Sequence, residues 1–140
     1  MSINPLHHEN NDREIIDILS CNIIPGLSTT LIFSFGSISK VDNDEKYFTS
    51  ALFAAPVRVD AYDDEGSNLS FESESGFIKV TDNIPGLIVS KESKYLKEYL
   101  EKEDWVEAHS GETLSHYVLW SYGGGVIHIL SSHSPILEVL

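Results

Sequence analysis

Residues 115–134 read SHYVLWSYGGGVIHILSSHS, and this stretch decides the fold because two apolar runs flank three consecutive glycines. Both runs alternate in side-chain character with a period of two, which is typical of β-strands. Glycines between two such runs favour a short loop that turns the chain back on itself. We therefore predict a β-hairpin in which the strands Leu114–Tyr122 and Val126–Ser131 pair around the glycines.

The two faces of the predicted hairpin differ in chemistry. If Tyr122 pairs with Val126, then Trp120 lies opposite His128, and successive side chains alternate between the faces. The more aliphatic face is expected to pack against the helices, which leaves the other face partly exposed. That face carries large aromatic side chains, which supply contact area to a partner at a low entropic cost. The predicted aromatic face consists of His116, Trp120, Tyr122 and His128, with Tyr62 from another strand grouped with it.

The hairpin lacks the neighbouring groups that histidine chemistry needs. A catalytic histidine needs an orienting carboxylate together with a nucleophile or a metal ion, and no acidic residue occurs between Leu114 and Ser134. Two histidines can begin a zinc site, but no third ligand is close in the sequence. We therefore predict no catalytic residue, no metal site and no cofactor. The alternative that stays open is a small-ligand or metal-binding protein, or an enzyme, that uses His116, Trp120 and His128.

Two segments outside the hairpin have apolar residues at helical spacing. The first is Asp12–Cys21, where Ile15, Ile18 and Leu19 would share one side of a helix. The second runs from Lys91 to Trp105, where tyrosines and leucines form a stripe and a serine at position 90 is a suitable N-cap. The sequence therefore predicts two helices.

Period-two alternation recurs in short runs from Thr29 onward, with polar turns between the runs. Runs that follow one another in hairpin order favour antiparallel pairing, and we expect the last of them, Ile136–Leu140, to pair with the sheet. We predict an α+β fold, a mostly antiparallel sheet of about six or seven strands with two helices packed on one face. Residues 1–11 are expected to form a flexible tail, and residues 12–140 a single α+β domain.

The chain is strongly acidic. Its 140 residues contain 22 Asp and Glu against 9 Lys and Arg, which gives a formal net charge of −13. Charge of this sign repels phosphate backbones and anionic lipid surfaces, so we predict neither nucleic acid nor a membrane as partner. The N-terminus lacks the pattern of a secretory signal, and a single cysteine, Cys21, cannot form an internal disulfide. These features favour the cytoplasm.

Acidic residues occur in three groups along the chain. Two of these groups, at residues 42–45 and 60–65, lack the ligand spacing of a calcium-binding EF-hand loop. A broad negative surface instead suits a basic protein partner, because complementary charge speeds encounter while aromatic anchors hold the complex together. The predicted partner-binding acidic residues are Asp42, Asp44, Glu45, Asp60, Asp63, Asp64, Glu65, Glu98, Glu101 and Asp104.

A small, strongly acidic α+β chain without a catalytic motif resembles the immunity proteins of bacterial toxin systems, including those of contact-dependent growth inhibition. The resemblance lies in the composition of the whole chain and in no single motif. It implies a non-enzymatic inhibitor in the cytoplasm that binds a cognate toxin domain, often a basic nuclease, and blocks its active site. It assigns no role to any individual residue.

Overall fold

The computed structural model describes residues 13–37, 46–62, 76–84, 86–102, 113–121 and 125–140. These ranges contain nine strands and one helix. The strands are β1 Arg13–Ile24, β2 Ser28–Ser37, β3 Lys46–Ala54, β4 Arg58–Tyr62, β5 Ile78–Lys79, β6 Leu87–Ser90, β7 Ser115–Trp120, β8 Val126–Ser131 and β9 Ile136–Val139, and the helix is α1 Lys94–Lys102.

The strands form two antiparallel sheets. The first sheet has the order β1-β2-β3-β9, and the second has the order β4-β8-β7-β6-β5. The predicted pairing of the last extended piece is confirmed, because β9 lies beside β3 at the edge of the first sheet. The mostly antiparallel α+β class is therefore confirmed, whereas the expected number of strands is too low and the strands are divided between two sheets.

The core lies between the two sheets. From the first sheet it takes Phe33 and Phe53, and from the second Tyr117, Leu119 and their neighbours. The rings of Phe53 and Tyr117 meet edge to face, with their centroids 5.2 Å apart. Side chains alternate along each strand, so each sheet presents one apolar face to this core.

The second sheet is buried on both faces. All six residues of β7 and all six of β8 are buried. One face packs against the first sheet, and part of the other packs against α1 through Leu96, Leu130 and partly buried tyrosines. The protein therefore has three layers, in the order first sheet, second sheet and helix.

The predicted helix over Asp12–Cys21 is wrong, because residues 13–21 belong to strand β1, while Asp12 lies outside the described residues. The pairing of β1 with β2 is interrupted by two β-bulges, between Ile15 and Asp17 and between Ile18 and Ser20. Each bulge inserts one extra residue, so side chains on the same face become three residues apart. Ile15, Ile18 and Cys21 all pack on the core in this way, and their spacing imitates that of a helix.

The helix α1 is shorter than predicted and begins at another serine. Its N-cap is Ser93, whose Oγ accepts a hydrogen bond from the backbone N–H of Leu96 at 3.2 Å. Ser90 was the predicted cap, but its Oγ accepts from the backbone N–H of Glu92 in a turn before the helix. The predicted end at Trp105 lies outside the described residues. Within the described ranges α1 is the only helix, so the prediction of two helices on one face is wrong.

Two glycines are required by the backbone. Gly26 has a positive φ of 73°, and the N–H of Leu27 donates to the carbonyl oxygen of Ile24 at 3.0 Å, which closes the turn between β1 and β2. Gly86 has a different role, because a Cβ there would lie 2.6 Å from the carbonyl oxygen of Trp120. The carbonyl of Gly86 accepts from the N–H of Trp120 at 2.9 Å, so glycine allows the two backbones to meet.

In the part of the chain that the structure describes, no helix is long and apolar enough to cross a membrane.

Candidate functional site: a buried serine–histidine network

The hairpin of β7 and β8 has its predicted faces but a different register. Trp120 pairs with Val126, and Val118 pairs with His128, so the pairing is shifted by two residues from the predicted one. A shift of two leaves every side chain on its predicted face, since the period of a strand is two. The packing of the two faces differs from the prediction, however. The aliphatic face packs on the first sheet rather than on helices, and the histidine face packs on α1 rather than being partly exposed.

The prediction of a partly exposed aromatic face is wrong. His116 is 0% exposed, His128 4% and Trp120 5%. Tyr95 of α1 stacks on both imidazoles, with centroids 4.4 Å from His116 and 5.1 Å from His128, and Phe77 meets His116 edge to face at 5.4 Å. Tyr122 and the side chain of Tyr62 lie outside the described residues.

A hydrogen-bonded chain runs through this buried layer. Ser93 Oγ lies 2.7 Å from His116 Nδ1, and His116 Nε2 lies 2.9 Å from His128 Nδ1. A neutral imidazole offers one N–H donor and one acceptor nitrogen. Both hydrogen bonds form when the hydroxyl of Ser93 donates to His116 Nδ1 and His116 Nε2–H donates to His128 Nδ1. The N-cap of α1 is thereby joined to β7 and β8.

A charged group lies beside the histidines. The hydroxyl of Tyr95 donates a short hydrogen bond to Asp60, and Arg58 Nε contacts the same carboxylate oxygen at 2.7 Å. The guanidinium of Arg58 also lies over the ring of Tyr95, 5.0 Å from its centroid. Asp60 is thus part of the network around Tyr95, rather than one member of an exposed acidic cluster.

Burial keeps both histidines neutral. Desolvation, followed by the proximity of His128, lowers the pKa of His116 to about 3. Desolvation also lowers the pKa of His128 to about 4, where the nearby carboxylate of Asp60 opposes the change and Arg58 adds to it. The buried layer therefore holds two uncharged imidazoles at neutral pH, and protonating either one would place a charge next to aromatic rings.

The arrangement of Ser93 and His116 has the form of a nucleophile and a base, but its surroundings do not suit catalysis. Ser93 is buried, and its Oγ already accepts the N–H of Leu96 as the helix cap. Among the described residues, no group of three His, Cys, Asp or Glu side chains could hold a metal ion. A cavity of about 520 Å³ is lined by other residues, including Lys91, Ser115 and His133. The network joins α1 to the second sheet and presents no reactive group to a substrate.

Ser93→Ala is expected to lower the free energy of unfolding by about 1–2 kcal/mol, because the change removes both the helix cap and the partner of His116. Ser90→Ala is the matched control, since it removes a single hydrogen bond in a turn, and we expect a smaller loss of about 0.5 kcal/mol. Urea unfolding at pH 7, followed by circular dichroism, measures both. Equal losses from the two variants would show that Ser93 has no special role.

Sequence reasoning missed Ser93, Phe77 and the contact of Tyr95 with the histidines. Ser93 could have been found, because it directly precedes the apolar stripe of α1, which is where an N-cap stands. The contact between Tyr95 and the histidines joins residues far apart in sequence, so no local pattern indicates it.

The predicted acidic residues are only partly placed by the structure. Glu98 and Glu101 are exposed on α1, but the same helix carries Lys94, Lys97 and Lys102, and Lys94 Nζ lies 4.0 Å from Glu98. The surface of α1 is therefore of mixed sign. The predicted residues Asp42, Asp44, Glu45, Asp63, Asp64, Glu65 and Asp104 lie outside the described residues.

The negative charge is unevenly divided along the chain. The described ranges contain eight acidic and eight basic residues, and hence carry no net charge. The remaining stretches contain fourteen acidic residues and one lysine, which accounts for the whole charge of −13. These stretches are residues 1–12, 38–45, 63–75 and 103–112. The other positions outside the described ranges are Pro85, Tyr122, Gly123 and Gly124, which carry no charge.

No family model, no curated protein and no solved structure matches the chain.

Proposed function

We propose that this chain is a non-enzymatic binding protein that neutralises a basic protein partner. In its most concrete form it is a cytoplasmic immunity protein that inhibits a cognate bacterial toxin domain, such as a nuclease. The observation that carries the proposal is the uneven distribution of charge along the sequence, in which residues 1–12, 38–45, 63–75 and 103–112 hold fourteen of the 22 acidic residues and a single lysine.

Two of the acidic stretches adjoin the same end of the first sheet. Residues 1–12 precede Arg13, and residues 38–45 connect Ser37 to Lys46. Arg13 pairs with Ser37 across β1 and β2, and Lys46 pairs next to Ser37 across β2 and β3. The acidic residues directly before Arg13 and Lys46 are therefore attached to neighbouring strand ends.

A third acidic stretch, residues 63–75, begins at the corresponding end of the second sheet. It follows Tyr62, which pairs with Val126 at the end of β4 and β8. This end faces the same way as the end of the first sheet at Arg13, because Gly86, which is hydrogen-bonded to Trp120 beside Val126, lies against Ile15 near the start of β1. Carboxylates that directly precede or follow neighbouring strand ends suit fast association with a cationic protein, because complementary charge steers the encounter.

The alternative of a small-ligand or metal site at His116, Trp120 and His128 has less support, because all three side chains are buried. Tyr95 of α1 covers the two histidines, and Trp120 packs in a cluster with Phe77. A ligand would have to displace these groups before it reached an imidazole. The hydrogen bonds of His116 are also already made within the protein.

The proposal is tested with the protein encoded directly upstream of this chain's gene, whose C-terminal domain we expect to be cationic. The dissociation constant of that domain is measured at about 50 mM and about 500 mM salt, between which screening removes most long-range attraction. We expect binding at low salt and at least a tenfold weakening at high salt. Co-expression should also relieve the toxicity of that domain.

A pair of variants separates the acidic stretches from the helix. Asp63→Asn, Asp64→Asn and Glu65→Gln together remove three charges next to β4, and we expect at least a tenfold weaker complex. Glu92→Gln, Glu98→Gln and Glu101→Gln remove three exposed charges on or near α1, where lysines are interspersed, and should weaken it less than about threefold. Absence of binding, or binding that does not depend on salt, would refute the proposed function.

A further inference from the structure

The outer face of the first sheet is unusually apolar. On an outer layer, side chains that point away from the core are expected to be polar. Here Phe48 is 45% exposed, Ile136 65% and Leu140 62%. Ile32 and Leu52, which are half-buried, complete the group. We call these five residues, Ile32, Phe48, Leu52, Ile136 and Leu140, the outer apolar face.

Strand register brings these residues together. Leu52 of β3 pairs with Ile136 of β9, and the N–H of Leu140 donates to the carbonyl oxygen of Phe48 at 2.8 Å. Ile32 of β2 pairs with Ser50 of β3, which lies between Phe48 and Leu52 and faces the same side of the sheet. On the other side of these strands, Leu31 and Ala51 are fully buried in the core and the half-buried Leu137 packs against it, which places the five on the opposite side.

Two described carboxylates lie on the same side of the first sheet as the outer apolar face. Glu138 lies between Ile136 and Leu140 and points to the same side, since alternate residues of β9 share a face. On β1, the exposed residue Asp17 is joined to β2, because its N–H donates to Ser34 Oγ at 3.1 Å. Among the side chains that the structure describes in the first sheet, these two are the charged ones, and the side chains of Arg13, Glu14 and Lys46 lie outside the described residues.

We propose that the outer apolar face is the surface on which a cationic protein docks, through apolar residues that are flanked by lysine or arginine. The inference rests on the proposed function for the class of partner, and it adds the place of contact. Exposed apolar groups next to carboxylates supply the two parts of such an interface, since burial of the apolar groups holds the complex and complementary charge aligns it.

A second copy of this chain is the competing occupant, and charge disfavours it. Stacking two outer apolar faces would bring together two chains of net charge −13 each, with Glu138 of each close to the apposed surface. Like charges brought together at an interface oppose association, whereas a cationic partner gains from the same carboxylates.

The test compares three forms of the full chain: wild type, Phe48→Ser with Ile136→Ser, and the control Leu19→Ser with Leu27→Ser. The control replaces two apolar residues of similar exposure, 51% and 63%, that lie outside the outer apolar face. Two labelled peptides of equal charge serve as probes, one of alternating leucine and lysine and one of alternating serine and lysine. Fluorescence anisotropy gives the dissociation constants.

We expect the first double variant to bind the leucine–lysine peptide, and the cationic domain described above, at least about tenfold more weakly than wild type. The control variant and the serine–lysine peptide should show changes below about twofold. If wild type binds the cationic domain but the Phe48 and Ile136 substitutions have no effect, the docking surface is refuted and the proposed function stands. If wild type binds no cationic probe, both are refuted.

Sedimentation velocity at low and high protein concentration tests the competing occupant. We expect wild type to remain monomeric. A wild-type dimer that Phe48→Ser with Ile136→Ser dissociates would assign the outer apolar face to a second copy and overturn the proposal.

Discussion

Lowering the pH from 7 to 5 is expected to reduce the free energy of unfolding by about 3 kcal/mol through the buried histidines alone. In the folded protein the pKa of His116 is lowered to about 3 and that of His128 to about 4, while unfolded histidine titrates near about 6.5. Below that pH both histidines bind a proton in the unfolded chain but stay neutral in the folded chain, so acid favours unfolding. The stability contributed by the neutral pair is present above about pH 6.5 and is lost as the pH falls toward about 4.

Urea unfolding at several pH values between 5 and 7 measures this loss of stability. One substitution separates the contributions of the two histidines. His128→Asn keeps an acceptor near the position of Nδ1 for His116 but removes one titrating group, so the dependence on pH should fall by about half. His133→Asn is the control, because His133 is exposed and lies outside the network. A stability that does not change between pH 7 and 5 would show that the imidazoles are not held neutral by burial.

The parts of the fold that the sequence predicted well depend on local periodicity. The hairpin of β7 and β8 follows from a period of two on both sides of the glycines, and the faces survive a register error because the error is an even number of residues. The apolar stripe of α1 follows in the same way from a period near four. The helix boundary was harder, because Ser90 and Ser93 are three residues apart and both resemble a cap.

The candidate site was only half predictable. That His116 and His128 share a face is a local property of two paired strands. What covers the face is a tertiary property, because it depends on whether Tyr95 and Ser93 reach the histidines from α1. An exposed platform and a buried network therefore have the same local sequence pattern, and the contacts of α1 decide between them.

Strand β1 was mistaken for a helix for a specific physical reason. Its core-facing residues Ile15, Ile18 and Cys21 are three apart, while their partners on β2 are two apart, at positions 35, 33 and 31. Two bulges absorb the difference. A spacing of three is equally typical of a helix face, so periodicity alone could not separate the two structures.

Ile15→Ala and Leu19→Ala distinguish a bulged strand from a helix in solution. Ile15 is fully buried in the core, so we expect its substitution to lower the free energy of unfolding by about 3 kcal/mol, which is typical of a deleted core side chain. Leu19 is the extra residue of the second bulge and is 51% exposed. Its substitution should cost less than about 0.5 kcal/mol.

A helix over the same residues predicts a different result. Ile15 and Leu19 are four residues apart and would lie on the same helical face, so both substitutions would remove core contacts. Chemical unfolding of the two variants under one condition measures the difference directly, and Ile18→Ala, at a half-buried position, should fall between them. Comparable losses at Ile15 and Leu19 would contradict the bulged strand, because the second bulge is what places Leu19 outside the core.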